Sequence, residues 1–126
     1  MSEVLGVGVD LCSIPRMEKA IAQKHFTERV FTVSERETIA SRGKDGANTA
    51  AAMFAAKEAC AKALGTGFSG GIMPEQFSVE HDPAGAPSVR LYGKAEEKML
   101  ALGGRMIRLS LSHEGDMAAA FAVLLS

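Results

Sequence analysis

AAAMFAAKEACAKAL, residues 50–64, is the stretch on which the reading of this chain turns. Alanine has the lowest intrinsic cost of any residue in a helix, and neither Gly nor Pro interrupts the run, so the composition predicts a helix. Gly65 follows as its C-terminal cap. Glu58 and Lys62 stand four apart on this helix and are therefore neighbours on its surface. Taken alone they read as a solvent-facing ion pair worth a few tenths of a kcal/mol.

Before the helix, residues 3–10 read EVLGVGVD. Val4, Leu5, Val7 and Val9 predict a mostly buried strand, and Gly6 and Gly8 allow another backbone to approach it closely. The strand is expected to end at Asp10, and strand ends are where ligand groups collect. If the long helix packs over this strand, Asp10 converges with Glu58. Two carboxylates with waters and phosphate oxygens make an ordinary Mg²⁺ shell, and Lys62 would stand beside the same phosphates. Ser13-Ile14-Pro15 reads as a helix start, with Ser as cap and Pro in the first turn. Met17, Ala20 and Ile21 share a face of that helix, while Arg16, Lys19 and Lys24 lie off it. Residues 26–32 carry no clear pattern. Ser34-Glu35 resembles another helix start, and residues 42–48, RGKDGAN, read as a mobile polar loop with nothing to bury.

Beyond the helix, residues 65–71 are too rich in Gly to be regular. Residues 77–81 alternate like a strand, residues 82–87 form a turn, and residues 89–92 alternate again. Residues 94–102 make a short helix stopped by Gly103-Gly104. Ile107, Leu109, Leu111 and His113 have one parity and share a strand face. Glu114-Gly115-Asp116 turns the chain into a last strand, residues 117–125. The fold class is α+β: a small antiparallel sheet packed with one long Ala-rich helix and shorter helices, as one domain over residues 1–126.

Composition removes several classes of function. With 14 basic and 15 acidic residues the formal net charge is −1, so no basic field points to nucleic acid. Aromatic residues are 6% and Trp is absent, which argues against a stacking platform for single strands. The longest apolar run is residues 117–125, too short to cross a bilayer. No basic cluster precedes the first apolar run, so no secretory signal is expected. Cys12 and Cys60 lie far apart without CxxC spacing, which excludes a disulfide framework and a CxxC zinc site, and the cytoplasm is the expected compartment.

Other chemistry has competing readings. The N–H groups of Gly65, Thr66 and Gly67 could meet a phosphate. They follow a helix C-terminus, however, where the macrodipole is negative, and a simple cap reads equally well. GVGVD is no dinucleotide fingerprint, because Leu11 stands where a third Gly is needed. His113 is a structural residue or a phosphate contact. Ser112 points to the other face from His113 and cannot easily pair with it. Cys12 with His113 is a formal thioester hydrolase. Arg16, Lys19, Lys24, His25 and Arg29 form a solvated face or a docking face for an acidic protein.

In order and spacing, these pieces resemble the holo-[acyl-carrier-protein] synthase family, the small phosphopantetheinyl transferases. The resemblance runs from GVGVDL at residues 6–11, with Arg16 after it, through FTERVFT at residues 26–32 followed by Ser34-Glu35. FAAKEA at residues 54–59, followed by KALGTG at residues 62–67, is its specific core. Gly85-Ala86-Pro87 and Ser110-Leu111-Ser112-His113 complete it. The resemblance implies transfer of 4′-phosphopantetheine from coenzyme A to a serine of apo acyl carrier protein, giving adenosine 3′,5′-bisphosphate. It implies that Asp10 and Glu58 bind Mg²⁺, that Glu58 takes the serine proton, and that Lys62 stabilises the transferring phosphoryl group. Gly65, Thr66, Gly67 and Pro87 would line the coenzyme A path, and His113 would contact its 3′-phosphate. Arg16, Lys19 and Lys24 would hold the carrier protein, in a homotrimer with sites between subunits. One position departs from the pattern: Met53 precedes Phe54 where the family often has Arg or Trp. The basic loop with Arg42 and Lys44 is the candidate to replace that charge. The alternatives are a non-catalytic binder of coenzyme A or an acidic protein, and the Cys12/His113 hydrolase.

Overall fold

The computed structural model describes residues 2–126. Among them, five strands and five α-helices follow one another as β1 (Val4–Ser13), α1 (Ile14–Ile21), α2 (Lys24–Val30), α3 (Val33–Ser41), α4 (Gly46–Ala63), β2 (Phe77–His81), β3 (Pro87–Leu91), α5 (Gly93–Ala101), β4 (Met106–Glu114) and β5 (Met117–Leu125). The class is α+β, with two antiparallel sheets. One is three-stranded in the order β1-β5-β4, and the other is the β2-β3 hairpin.

The Ala-rich helix is α4, and what it rests on explains the first strand. Gly6, Gly8, Asp10 and Cys12 pair with Leu124, Ala122, Ala120 and Ala118 of β5. Those four β5 residues are buried, so this face of β1 looks toward α4. A Cβ on Gly6 would lie 2.0 Å from the carbonyl oxygen of Ala63, and one on Gly8 would lie 1.9 Å from that of Ala59. Helix and strand therefore meet backbone to backbone, at a distance only Gly permits. One expectation changes: β1 does not end at Asp10 but runs on to Ser13. Asp10 reaches the helix because it is the next residue after Gly6 and Gly8 on the same face. Ser13 then caps α1 as expected, accepting from the Arg16 N–H at 3.3 Å.

Three further readings are corrected. Residues 26–32, unassigned from sequence, hold most of α2, whose N-cap Gln23 makes no side-chain cap bond. Packing maintains it instead: the Phe26 ring lies 6.2 Å edge-on from Phe31 and 6.4 Å from Phe54. Thr32, not Ser34, begins α3, through a capping box in which Thr32 and Glu35 bond each other's backbone N–H. Residues 42–48 are not a mobile loop. Gly43–Asp45 form one 3-10 turn, and α4 already starts at Gly46, where Gly46 and Ala47 are buried.

The opposite face of β1 is uncovered. Val7, Val9 and Leu11 are 55%, 58% and 59% exposed, and Phe121, paired with Val9, is 45% exposed. No helix among the described residues is long and apolar enough to cross a membrane.

Candidate active site

The packing of α4 on β1 brings Asp10, Glu58 and Lys62 together. The Lys62 Nζ donates to the Val9 carbonyl at 3.0 Å and lies 3.6 Å from Asp10 Oδ1. Lys62 thus turns to Asp10 and forms no ion pair with Glu58, correcting the isolated-helix reading. Asp10 Oδ1 also accepts the Leu11 N–H at 2.9 Å. Asp10 Oδ2 is buried with no hydrogen-bond partner, the only such side-chain atom among the described residues. A buried carboxylate oxygen left unpartnered is costly and marks a place where a cation or donor belongs. Burial, then the adjacent Asp10 carboxylate, push the Glu58 carboxyl up to about 7, with Lys62 pulling the other way. Two hard oxygen donors facing one space suit a divalent cation of the Mg²⁺ type, which keeps several waters and bridges to phosphates. Among the described residues no group of three or more His, Cys, Asp or Glu is arranged to hold a metal, so Asp10 and Glu58 form a two-residue set.

The raised Glu58 value has a consequence for stability. The native state holds this proton more tightly than an unfolded chain, whose Glu titrates near 4.5. The resulting stability is present below that value and is lost as pH rises through about 7. Thermal melting of chelator-treated protein is expected to fall in midpoint from pH 5 to pH 7.5, and Glu58→Gln is expected to flatten the profile.

Two clefts flank α4. One, of about 310 Å³, is lined by Arg16, Met17, Phe26, Phe54 and Glu58, with Cys12 at its edge. The other, of about 500 Å³, is lined by Arg42, Asn48, His81, Gly85 and His113, with Asp45 at the start of α4. At 100° per residue, Asn48 and Ala52 of the second cleft lie about 80° to 160° around the helix from Phe54 and Glu58, so the two clefts open on different flanks of α4. His113 is exposed near the end of β4, and Pro87 opens β3 opposite His81. Met53 is 1% exposed and points into the core, so it faces no anion. Arg42 is the cation beside His113, while Lys44 lies outside that lining. His81, unremarked in the sequence, joins them; burial, then Arg42, lower its pKa, and Asp82 opposes them. Arg16, Lys19 and Lys24 are all exposed on α1 and the start of α2.

Two expectations fail on geometry. The N–H groups after α4 are already used: Gly65 donates to Lys62 O at 2.9 Å, and Thr66 and Gly67 donate to Ala61 O at 3.2 and 3.1 Å. This stretch is a helix cap and presents no phosphate nest there. Cys12 and His113 both pair with Ala118, on either side of β5, so their Cα atoms are about 10 Å apart. Burial, then the Glu58 and Asp10 carboxylates, push the Cys12 thiol up to about 11. A thiol so far from His113 and so hard to ionise is no nucleophile, and the Cys12/His113 hydrolase reading is withdrawn.

The sequence also concealed an ion pair. Lys57 and Glu35 are both 0% exposed, with Nζ 2.6 Å from Oε1. Only the Thr32-x-x-Glu35 capping pattern hinted that Glu35 was held in place.

Comparison with known proteins places this geometry. Residues 6–121 match the family model of the 4′-phosphopantetheinyl transferase superfamily. The holo-[acyl-carrier-protein] synthase of Halorhodospira halophila is 39% identical, over 98% of each chain. The chain belongs to the holo-[acyl-carrier-protein] synthase family. A crystal structure of this family from Neisseria meningitidis superposes with a TM-score of 0.87 at 31% identity, covering 97% of this chain and 98% of that one. A second, the Helicobacter pylori synthase in complex with coenzyme A, gives 0.79 at 32% identity over 94% of this chain and 98% of that one. The chain is thus a transferase of the synthase family, and the α+β fold read from its sequence is the family's own.

Proposed function

We propose that this synthase-family domain transfers 4′-phosphopantetheine from coenzyme A to a serine of apo acyl carrier protein, with Mg²⁺ held by Asp10 and Glu58. The observation that carries the reading is the unpartnered Asp10 Oδ2 beside the Glu58 carboxyl, with Lys62 at the same place. Bound there, Mg²⁺ would neutralise the diphosphate and the charge that develops on phosphoryl transfer. Glu58 accepts the proton of the serine hydroxyl as its oxygen bonds to phosphorus. The bond from phosphorus to the diphosphate oxygen breaks, and adenosine 3′,5′-bisphosphate leaves. Lys62 is half-exposed and tethered to Val9 O, so its ammonium can move from Asp10 to the transferring phosphoryl group. Gly65, Thr66, Gly67 and Pro87 serve as walls of the coenzyme A path.

Arg42 and His113 hold the 3′-phosphate, with Arg42 supplying the charge that Met53 does not. His113→Ala and Arg42→Ala are each expected to raise KM for coenzyme A by about tenfold to a hundredfold, the worth of one charge-assisted hydrogen bond. KM for 3′-dephospho-coenzyme A should be unchanged, and steady-state kinetics on the two substrates checks this.

The metal pair and the phosphate cleft open on different flanks of α4, and one elongated coenzyme A would reach from one copy's metal pair to the next copy's cleft. The uncovered apolar face of β1 and β5 supports such self-association, in agreement with a homotrimer. Arg16, Lys19 and Lys24 would steer the acidic carrier protein toward the cleft between Met17, Phe26 and Phe54. The test is intact-mass spectrometry of apo carrier protein incubated with the enzyme, coenzyme A and Mg²⁺. A gain of about 340 Da, the phosphopantetheine arm, is expected and should vanish with chelator. Binding of both substrates without any mass gain would leave only the non-catalytic reading.

A further inference from the structure

The Thr32-x-x-Glu35 and Phe54-Ala-Ala-Lys57-Glu58 segments carried the family resemblance, yet Glu35 and Lys57 take no part in the chemistry above. The structure joins them. Lys57 Nζ meets Glu35 Oε1 at 2.6 Å and also donates to the carbonyls of Pro74 and Phe77. Glu35 Oε1 accepts the Thr32 N–H at 2.9 Å, and Oε2 accepts the Val79 N–H at 2.7 Å. This one fully buried pair ties α4 to α3, to β2 and to the segment before β2.

The reason such a peg is needed lies in α4 itself. Most globular helices have an apolar stripe that fixes which side faces inward. This one is buried on almost every side, and its buried residues are mostly alanine. Against β1 it meets Gly6 and Gly8, which present no side chains to interlock. Polarity therefore does not fix its roll about its own axis, and Met53 and Phe54 are the only large apolar side chains it offers as knobs. A roll of about 20° carries a carboxylate about 6 Å from the axis through about 2 Å. That is about one Mg–O bond, and Mg²⁺ demands near-ideal octahedral geometry.

We infer that the Lys57–Glu35 pair sets the roll of α4 and so places Glu58 against Asp10; both are positioning residues for the metal pair. The inference rests on the Mg²⁺ reading of Asp10 and Glu58 but is separable from it. Removing one partner alone leaves a buried unpaired charge and risks unfolding, whereas replacing both by apolar groups of similar volume is often tolerated. The test is therefore the double variant E35M/K57M, with Glu35→Gln as a milder second variant. Calorimetric titration of Mg²⁺ is expected to show at least tenfold weaker binding in the double variant at a melting temperature near wild type. Glu35→Gln should fall between the two. At saturating Mg²⁺, kcat should recover more than at low Mg²⁺, a split that general loss of stability does not produce. Crystal structures of the metal-free variants are expected to show α4 rolled on β1 and Glu58 displaced from Asp10. A folded variant with α4 unmoved and Mg²⁺ affinity unchanged overturns the inference. If wild type binds no Mg²⁺, the metal reading fails instead, and the helix position in the variant crystals still decides the role of the pair.

Discussion

Glu58→Gln is expected to reduce carrier-protein modification by at least about 10³-fold while leaving the fold intact. The substitution keeps the size of the side chain and removes both of its functions. An amide cannot accept the serine proton, and it is a poor ligand for a hard divalent cation. It also relieves the like-charge crowding with Asp10 that helps to raise Glu58 to about 7, so the melting temperature of the metal-free protein should not fall. Turnover by mass spectrometry together with a thermal melt separates the two effects. Turnover near the wild-type level would remove Glu58 from the reaction.

Gly8→Ala is expected to destabilise the protein by about 3 kcal/mol or more, since overpacking against an unyielding partner reaches that range. For a chain of this size that is a fall of about 10 °C or more in melting temperature. The added methyl would lie 1.9 Å from the Ala59 carbonyl oxygen. That atom is helix backbone, so relief requires α4 to lift from β1 rather than a side chain to turn aside. Lifting the helix also separates Glu58 from Asp10, so activity should fall further than stability at temperatures where the variant stays folded. Melting within about 2 °C of wild type would mean the helix can move at little cost.

The elements governed by local physics were legible in the sequence. Alanine propensity marked most of α4, the shared parity of Ile107, Leu109 and Leu111 marked β4, and Ser13 with Pro15 marked the start of α1. Glycine spacing in GVGVD signalled close approach, and the structure bears this out at Gly6 and Gly8. What escaped depends on contacts distant in sequence. The short helix α2 has no cap and is held by Phe26 against Phe31 and Phe54. The start of α4 was hidden because Gly46 disfavours helix locally, yet a Cβ there would lie 2.9 Å from Ile39 O, a clash that the lack of a side chain avoids. Asp10 was chosen for a reason that fails, the end of a strand, and it stands at the site for another, its parity with Gly6 and Gly8. The Glu35–Lys57 pair joins residues 22 apart, and no periodicity reports such a pairing.

The most direct measurement is an anomalous difference map from a crystal soaked with Mn²⁺ and coenzyme A, Mn²⁺ sharing the oxygen preference and octahedral geometry of Mg²⁺. One peak within about 2.5 Å of both an Asp10 oxygen and a Glu58 oxygen is expected. A peak bound to only one of these carboxylates, or to neither in any copy, would contradict the account.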